Sequence, residues 1–519
     1  MHVLELGLEI SPSMTETADK RFFHIWRIHN QLVKFATKQI NKLERDRMYV
    51  EAKKGYRDAS IEAAEGHLPA DKKEELLKKK RAPFIKTMKE RVSYFRLTKT
   101  DLESYAKVMR KSVSNFISSQ QGQAEADRVY SAVEAYLYRN GKQIHFKRLA
   151  DQKTITSKSM NGAVYSDAAH PDTRKNAVTK FPHQLDWMGM ICRVRFPKNK
   201  KARAYAEESL CHEIKYVTIK RRMFPDGWHY YIQLMLEGDA PKRAALGKGT
   251  AGIDPGMSAM AVEGDHVLGL VELAPKCKWY SQEISRLQRL QDKARRALNP
   301  ENFNEDGTVK KGRHAWITSK AMRKRQRQIA CLYRQKTEYT SCLHHQLANE
   351  IVSCCDTVYV ESMDYPALAK RAKESSRKSE ATQIRKGRHK VKTVHKHTRK
   401  KRFGSSIHDR SPAGFLTILE KKMASLGGAY ITVNARKCRA SQLDHTTGEY
   451  KKLPLSCRRK TVGGKTVLRD PYSSFLLRHA DEEGRVDLAG CQRDFPQFLK
   501  KQELLISFSP AQHPCCFGF

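Results

Sequence analysis

Thr250-Ala251-Gly252-Ile253-Asp254-Pro255-Gly256 places one carboxylate at the end of a small-residue strand. It then turns on Pro-Gly into a second apolar strand, Ala259 to Val262. A matching element follows at Thr357-Val358-Tyr359-Val360, which runs directly into Glu361. Two strands that each end in an acid set two carboxylates side by side on one edge of a sheet. The chain around them is strongly basic: 98 Lys+Arg against 56 Asp+Glu give a net charge of +42 over 519 residues. Such a field attracts polyanions. Carboxylate pairs in a basic chain point to a metal site for cutting nucleic acid.

Composition narrows the setting. The length suits two to four domains with a substantial core. No apolar run approaches the roughly 20 residues that span a bilayer, so no membrane element is expected. The first residues carry acids and alternate, unlike a signal peptide. The 12 cysteines are scattered without CxxC pairs, as in reduced proteins. A cytoplasmic location, in the prokaryotic cytosol or nucleoid, is the expectation.

Working outward, Leu4, Leu6, Leu8 and Ile10 alternate with polar or small residues as a period-2 strand. From about Thr15 the period changes, and Phe22, Ile25, Trp26, Ile28, Leu32, Phe35, Ile40 and Leu43 mark a long amphipathic helix. Helical patterns continue over 71–91, 100–118 and 122–139. Strand signals return at 143–147, 192–196, 212–220 and 229–236, the last two joined by the turn Pro225-Asp226-Gly227. These read as a small β-barrel whose first strand is the N-terminus, with a helical lobe inserted after it.

Past the first acid, Ile284, Leu287, Leu290 and Ala294 sit at helical spacing among arginines. A looser break, Asn299 to Gly312, precedes a second long helix marked by Tyr339, Leu343, Leu347 and Ile351. After Glu361 comes the most basic stretch, 371–402, with 14 Lys or Arg against two Glu. It reads as a solvated loop, as a segment that orders on a phosphate backbone, or as both. A helix then follows, with Ser411 as its cap, Phe415, Ile418, Leu419 and Leu426 as its buried face, and Gly427 at its end. Ala429 to Val433 is the next strand.

Strand-acid, hairpin, helices, strand-acid, helix, strand is the element order of an RNase H-like fold. Such nucleases use a third acid at the start of a late helix, and two divalent ions about 3.5–4 Å apart. Asp470, in Leu468-Arg469-Asp470-Pro471, is the candidate. It has a plain alternative, since Asp before Pro at a helix start is also how an N-cap looks. Asp481, Asp487 and Asp494 are rivals in more polar or turn-like contexts. Asp364 lies close to Glu361 but past the strand end. Mg²⁺ suits an all-carboxylate set, with Mn²⁺ as a substitute.

Gly252-Ile253-Asp254-Pro255-Gly256, Tyr359-Val360-Glu361-Ser362-Met363 and the Arg469-Asp470 helix together resemble the three RuvC motifs of TnpB proteins. These are transposon-encoded, RNA-guided nucleases ancestral to compact type V CRISPR effectors. The basic segment and Phe403-Gly404-Ser405-Ser406 are similar to that group as well. The resemblance covers roughly 249–495. It implies an α+β multidomain fold: a wedge barrel (its first strand in 1–12, the remainder in 141–248) and a recognition lobe (13–140). A split RuvC nuclease domain (249–434 and 469–500) and a tail (501–519) would complete it. It further implies a guide RNA, a target DNA beside a short flanking motif, and cleavage with Mg²⁺ at Asp254, Glu361 and Asp470. One departure is the interval 435–468, where the family carries a four-cysteine zinc ribbon. Here Cys438, His445 and Cys457 lack paired ligand spacing, so the expectation is a basic loop without zinc. The alternatives are a guided DNA-binding protein that has lost cleavage, and an unguided RNase H-like transposase or resolvase.

Overall fold

The computed structural model describes all residues except 66–69, 140, 175–176, 371–375, 386–390, 399–402, 455–456, 509–515 and 519. The chain forms two compact units, Met1–Pro241 and Lys242–Phe519, of mixed α/β structure. Among the described residues, no helix is long and apolar enough to cross a membrane.

In the first unit, strand β1 (His2–Glu9) is followed by five helices: α1 (Pro12–Leu43), α2 (Arg47–Glu65), α3 (Ala70–Tyr94), α4 (Lys99–Lys111) and α5 (Ser119–Tyr138). The chain then returns as β2 (Thr154–Thr156), β3 (Val164–Ser166), β4 (Gln184–Trp187), β5 (Met190–Arg195), α6 (Lys200–Ser209), β6 (Ile214–Phe224) and β7 (Gly227–Leu236). All seven strands join one sheet in the order β2-β6-β7-β1-β5-β4-β3, through antiparallel ladders. β1 thus sits in the middle of a sheet whose other strands begin only at Thr154 and end at Leu236. Its alternation holds: Leu4, Leu6 and Leu8 are buried, as are Phe22, Ile25, Ile28, Leu32, Ile40 and Leu43 of α1.

Two expectations fail here. Residues 143–147 are not a strand; they run irregularly along α1, where Lys147 exchanges backbone bonds with the Asn30 side chain (both 2.9 Å) and its carbonyl accepts from Trp26 Nε1 (2.7 Å). Side-chain amide and indole groups thus satisfy a backbone that a neighbouring strand would otherwise pair. Helix α2 carries little sequence signal: among its described residues the buried face is Tyr49, Ala52 and Ala59, which gives a weak apolar period.

The second unit holds a six-stranded sheet in the order β14-β11-β8-β9-β10-β17. Its strands are β8 (Thr250–Pro255), β9 (Ala259–Gly264), β10 (Leu268–Glu272), β11 (Thr357–Glu361), β14 (Ala429–Val433) and β17 (Cys516–Gly518). β8, β9 and β10 form an antiparallel meander; β11 lies parallel to β8 and β14 parallel to β11. Helices α7 (Cys277–Leu298) and α8 (Lys320–Val352) connect the meander to β11. After it come α9 (Tyr365–Ala369), β12 (Ser376–Arg385), β13 (Val391–Thr398), α10 (Gly404–Arg410) and α11 (Pro412–Leu426). The basic segment 371–402 therefore contains an antiparallel β12–β13 ladder, while its remaining residues and most of its side chains lie outside the described residues.

Three local readings are corrected in this unit. The break at 299–312 is built rather than loose: buried Asn299 bonds Ile317 N (2.6 Å) and its carbonyl (3.1 Å), and Asn302 bonds Ala315 O (2.8 Å). Ser411 does not cap α11 with its side chain; it has a left-handed backbone (φ 47°) where α10 ends and α11 begins. The interval 435–468 is not a loop. It forms α12 (Ala435–Cys438) and a hairpin, β15 (Arg459–Val462) and β16 (Lys465–Leu468), closed by Gly463-Gly464 at positive φ. Its Cys438, Leu443, Val462 and Val467 are buried with Tyr472, Phe475 and Phe498 of the last helices, α13 (Arg469–Arg478) and α14 (Leu488–Phe508).

Candidate metal and active site

Asp254 is the fifth residue of β8 and Glu361 the last of β11. The two strands are parallel neighbours with Ile253 opposite Val360, so the acids are the next residues along each. Parallel pairing puts them at the same end of the sheet, and their carboxyls share a hydrogen bond. The third acid arrives on α13, which lies across β8, β9 and β11.

What lets α13 lie there is Gly252. A Cβ at this position would stand 1.9 Å from the Ser474 carbonyl oxygen and 2.7 Å from the Arg478 nitrogen, so helix backbone rests directly on strand backbone. Two further anchors fix the helix. At its C-terminal end Arg478 bonds Thr250 Oγ1 (3.0 Å), the fully buried Glu263 (3.3 Å) and Asp265. Just before its first turn, Gln502 of α14 accepts from Leu468 N (2.6 Å) and donates to Thr466 O (3.1 Å). Asp470 then falls in the first turn rather than at the cap, which is Leu468 and makes no side-chain bond. The plain N-cap reading of Asp470 is thereby removed.

Burial raises the Asp254 carboxyl well above its ordinary value, and the charges of Glu361 and then Asp470 push it further. The Arg469 charge and the nearby Ser473 hydroxyl offset part of this. Burial raises Glu361 too, partly relieved by its bond with Asp254. Two carboxyls this close cannot both ionise cheaply without a cation. That demand, in a set of oxygen donors only, fits a hard divalent ion.

Asp470 is differently engaged. One oxygen accepts from Arg458 (3.0 Å) and the other from Arg469 (3.2 Å). Among the described residues, no three His, Cys, Asp or Glu side chains lie close enough together to hold a metal ion as they stand. The structure thus brings Asp254 and Glu361 into contact, with Asp470 near enough to repel Asp254 but turned to two arginines.

The other acids have separate duties. Asp364 caps α9 through Ala367 N (2.9 Å). Asp481 accepts from Arg485 N (2.8 Å), Asp487 from Gly490 N (3.0 Å), and Asp494 pairs with His479 (3.0 Å). None of the four is among the charges acting on Asp254. Of the zinc-ribbon candidates, Cys438 is buried and His445 Nδ1 bonds the Tyr472 hydroxyl (2.7 Å). Two residues near the acids gave no sequence signal of their own. Ser473, buried, donates its hydroxyl to the Arg469 carbonyl (3.0 Å) and lies near enough to Asp254 to lower its carboxyl slightly. Tyr365, buried, donates to the carbonyls of Pro255 and Gly256 (3.4 Å each) and pins the turn after Asp254.

No family model and no curated protein matches the sequence. Among solved structures the chain is similar to a Cas12f1–sgRNA–target DNA complex, with 11% identity and TM-score 0.42, over 91% of this chain and 97% of that one. It is also similar to a CRISPR–Cas12f ternary complex, with 10% identity and TM-score 0.25, over 94% and 100%. Both TM-scores lie below 0.5, so the site stands on its own residues.

Proposed function

We propose that this chain is an RNA-guided DNA endonuclease with a single RuvC-like, Mg²⁺-dependent centre. The observation that carries the reading is the meeting of Asp254, Glu361 and the helix bearing Asp470 at one end of the second sheet. The order β14-β11-β8-β9-β10 with α13 across it suits an RNase H-like domain. The central β1 with its inserted helices suits a wedge barrel and recognition lobe. Guide RNA and target DNA as partners follow from the motif resemblance and the +42 charge.

Asp254 and Glu361 would hold Mg²⁺ or Mn²⁺, with Asp470 completing the set. Such an ion supplies Lewis-acid stabilisation of phosphoryl charge and a more acidic water. The protein's own work is positional. Gly252, Arg478 and Gln502 set the helix, and Arg469 and Arg458 bring positive charge beside the acids. The test is direct. The protein is purified with its RNA, the RNA is sequenced, and a matching target carrying a randomised flank is offered in Mg²⁺. Expected are cleavage beside one short flank, its loss in Asp254→Ala, and retained guided binding. Cutting that survives complete RNase digestion would instead indicate an unguided transposase or resolvase.

One observation favours a second reading, a guided DNA-binding protein without cleavage: both oxygens of Asp470 are held by arginine. Guided binding with no cutting at any Mg²⁺ or Mn²⁺ concentration would establish it.

A further inference from the structure

Helix α1 carries a basic ridge that the nuclease centre does not use. Lys34, Lys38, Lys42 and Arg45 line a groove of about 430 Å³ with Phe146. Lys34, Lys38, Lys42 and Arg45 are exposed, and none has a carboxylate partner among the described residues. Helix electrostatics accounts for half of this. Lys42 and Arg45 lie at the C-terminal end of α1, where cations complement the helix dipole. Lys34 and Lys38 lie mid-helix, and like charges four residues apart destabilise a helix. A polyanion would offset that repulsion.

The second observation is Phe146, which is 59% exposed. It is not a loose side chain on a loose loop. Ile144 before it is buried, and Lys147 after it is tied to α1 through Asn30 and Trp26 and by its ammonium to buried Glu125 (3.1 Å). An aromatic ring is therefore held outward beside a row of cations about 6 Å apart along the axis. That is the combination single-stranded nucleic acid takes: charge for the backbone and a ring face for a base. Thr37 and Asn41 line the same groove and offer hydroxyl and amide partners beside the sugars, as 2′-hydroxyls require.

We propose that this groove binds an unpaired strand of RNA, with phosphates along Lys34, Lys38, Lys42 and Arg45 and one base on Phe146. The proposal rests on the RNA partner of the reading above and deepens it. The probe is a 5-iodouridine oligoribonucleotide titrated into the full-length protein stripped of RNA, with photocrosslinks mapped by peptide mass spectrometry. A crosslink at Phe146 is expected. Phe146→Ala should weaken binding about 5- to 150-fold. Lys34→Gln/Lys38→Gln/Lys42→Gln should make the log–log salt slope shallower by about 2, at about 0.7 per phosphate contact. Crosslinks confined to other peptides with an unchanged slope overturn the groove. A shallower slope without the Phe146 crosslink overturns the stacked base. Equal crosslinking and affinity for the deoxyuridine strand overturn the choice of RNA. None of these readouts uses cleavage, so loss of the nuclease reading leaves them intact, and guided cleavage with crosslinks elsewhere sinks only the groove.

Discussion

Replacing Gly252 with alanine tests the positioning of the site with one methyl group. The new Cβ would meet the Ser474 carbonyl at 1.9 Å, where real Cβ contacts essentially never fall below 3.0 Å, so α13 must retreat by roughly 1 Å. The obstacle is backbone on both sides, so no rotamer relieves it. Overpacking of this kind costs about 1–3 kcal/mol, and a contact with two backbone atoms belongs at the upper end. For a unit of this size that lowers the melting temperature by about 2–4 °C per kcal/mol. The larger effect is on chemistry. Asp470 rides on α13, Arg469 of the same helix lies beside both Asp470 and Asp254, and a 1 Å misplacement of such groups costs about 100-fold in rate. Single-turnover cleavage and filter binding, measured on the same preparation, should show cutting down about 100-fold and guided DNA binding within a few-fold of wild type. Wild-type cleavage with an unchanged melting temperature would refute the direct seating of α13 on β8. Loss of RNA binding as well would mean the substitution had unfolded the unit, and the rate could not then be charged to geometry.

Asp254→Asn should stabilise the metal-free protein. The folded Asp254 carboxyl titrates above its ordinary value of 3.8, so the native state holds a proton that the unfolded chain releases. Its contribution is complete below that value and is lost as pH rises through the folded pKa; in EDTA, melting scans should therefore show wild type losing stability with rising pH more steeply than the variant, and Mg²⁺ should raise only the wild-type melting temperature. Glu125 has the opposite sign. Burial alone would raise it, but the bond to His29 and the charges of Arg128 and Lys147 outweigh burial and hold it at about 2, against an ordinary 4.5. The stability it gives the first unit is present above pH 4.5 and lost as pH falls toward 2, and Glu125→Ala should cost about 3–5 kcal/mol by denaturant titration, since Arg128 and Lys147 lose their shared carboxylate and buried His29 its hydrogen-bond partner. Arg458→Ala should lower the Mg²⁺ concentration for half-maximal cleavage by about 2- to 5-fold, the value of one exposed ion pair, and a raised requirement would show that Arg458 serves the reaction instead.

The two strand-end acids were legible because each stands where a short apolar period stops, and parallel pairing of those strands brings the ends together without any further information. The third was half legible. Asp470 shares its signature with an N-cap, and only the observed cap at Leu468 separates the two. Local periodicity missed α2, where burial is small: the buried face of its described residues is one tyrosine and two alanines. It found α8, because Leu347 and Ile351 keep the period although Lys336, Thr340 and His344 share the buried stripe. It misled at 143–147, where alternation is real but the partner is the side-chain amide of Asn30 rather than a strand. In 435–468 the lack of paired metal ligands says nothing of structure, because the interval is held by apolar packing of Cys438, Leu443, Val462 and Val467.

The residues that make the acids into a site are the ones that a single sequence hides. Gly252 reads as part of a small-residue strand, yet what it supplies is the absence of an atom, felt only by a helix more than 200 positions later. Arg478 and Gln502 read as ordinary polar helix residues, yet they fix the two ends of α13 against Thr250, Glu263 and Leu468. Each acts through a contact whose partner lies far off in the chain, so no local window contains it. The placement of Asp470 within reach of Asp254 therefore depends less on the acid itself than on three non-acidic contacts. Replacing the acid should abolish chemistry and spare the fold, whereas loosening any one contact should reduce rate and stability together.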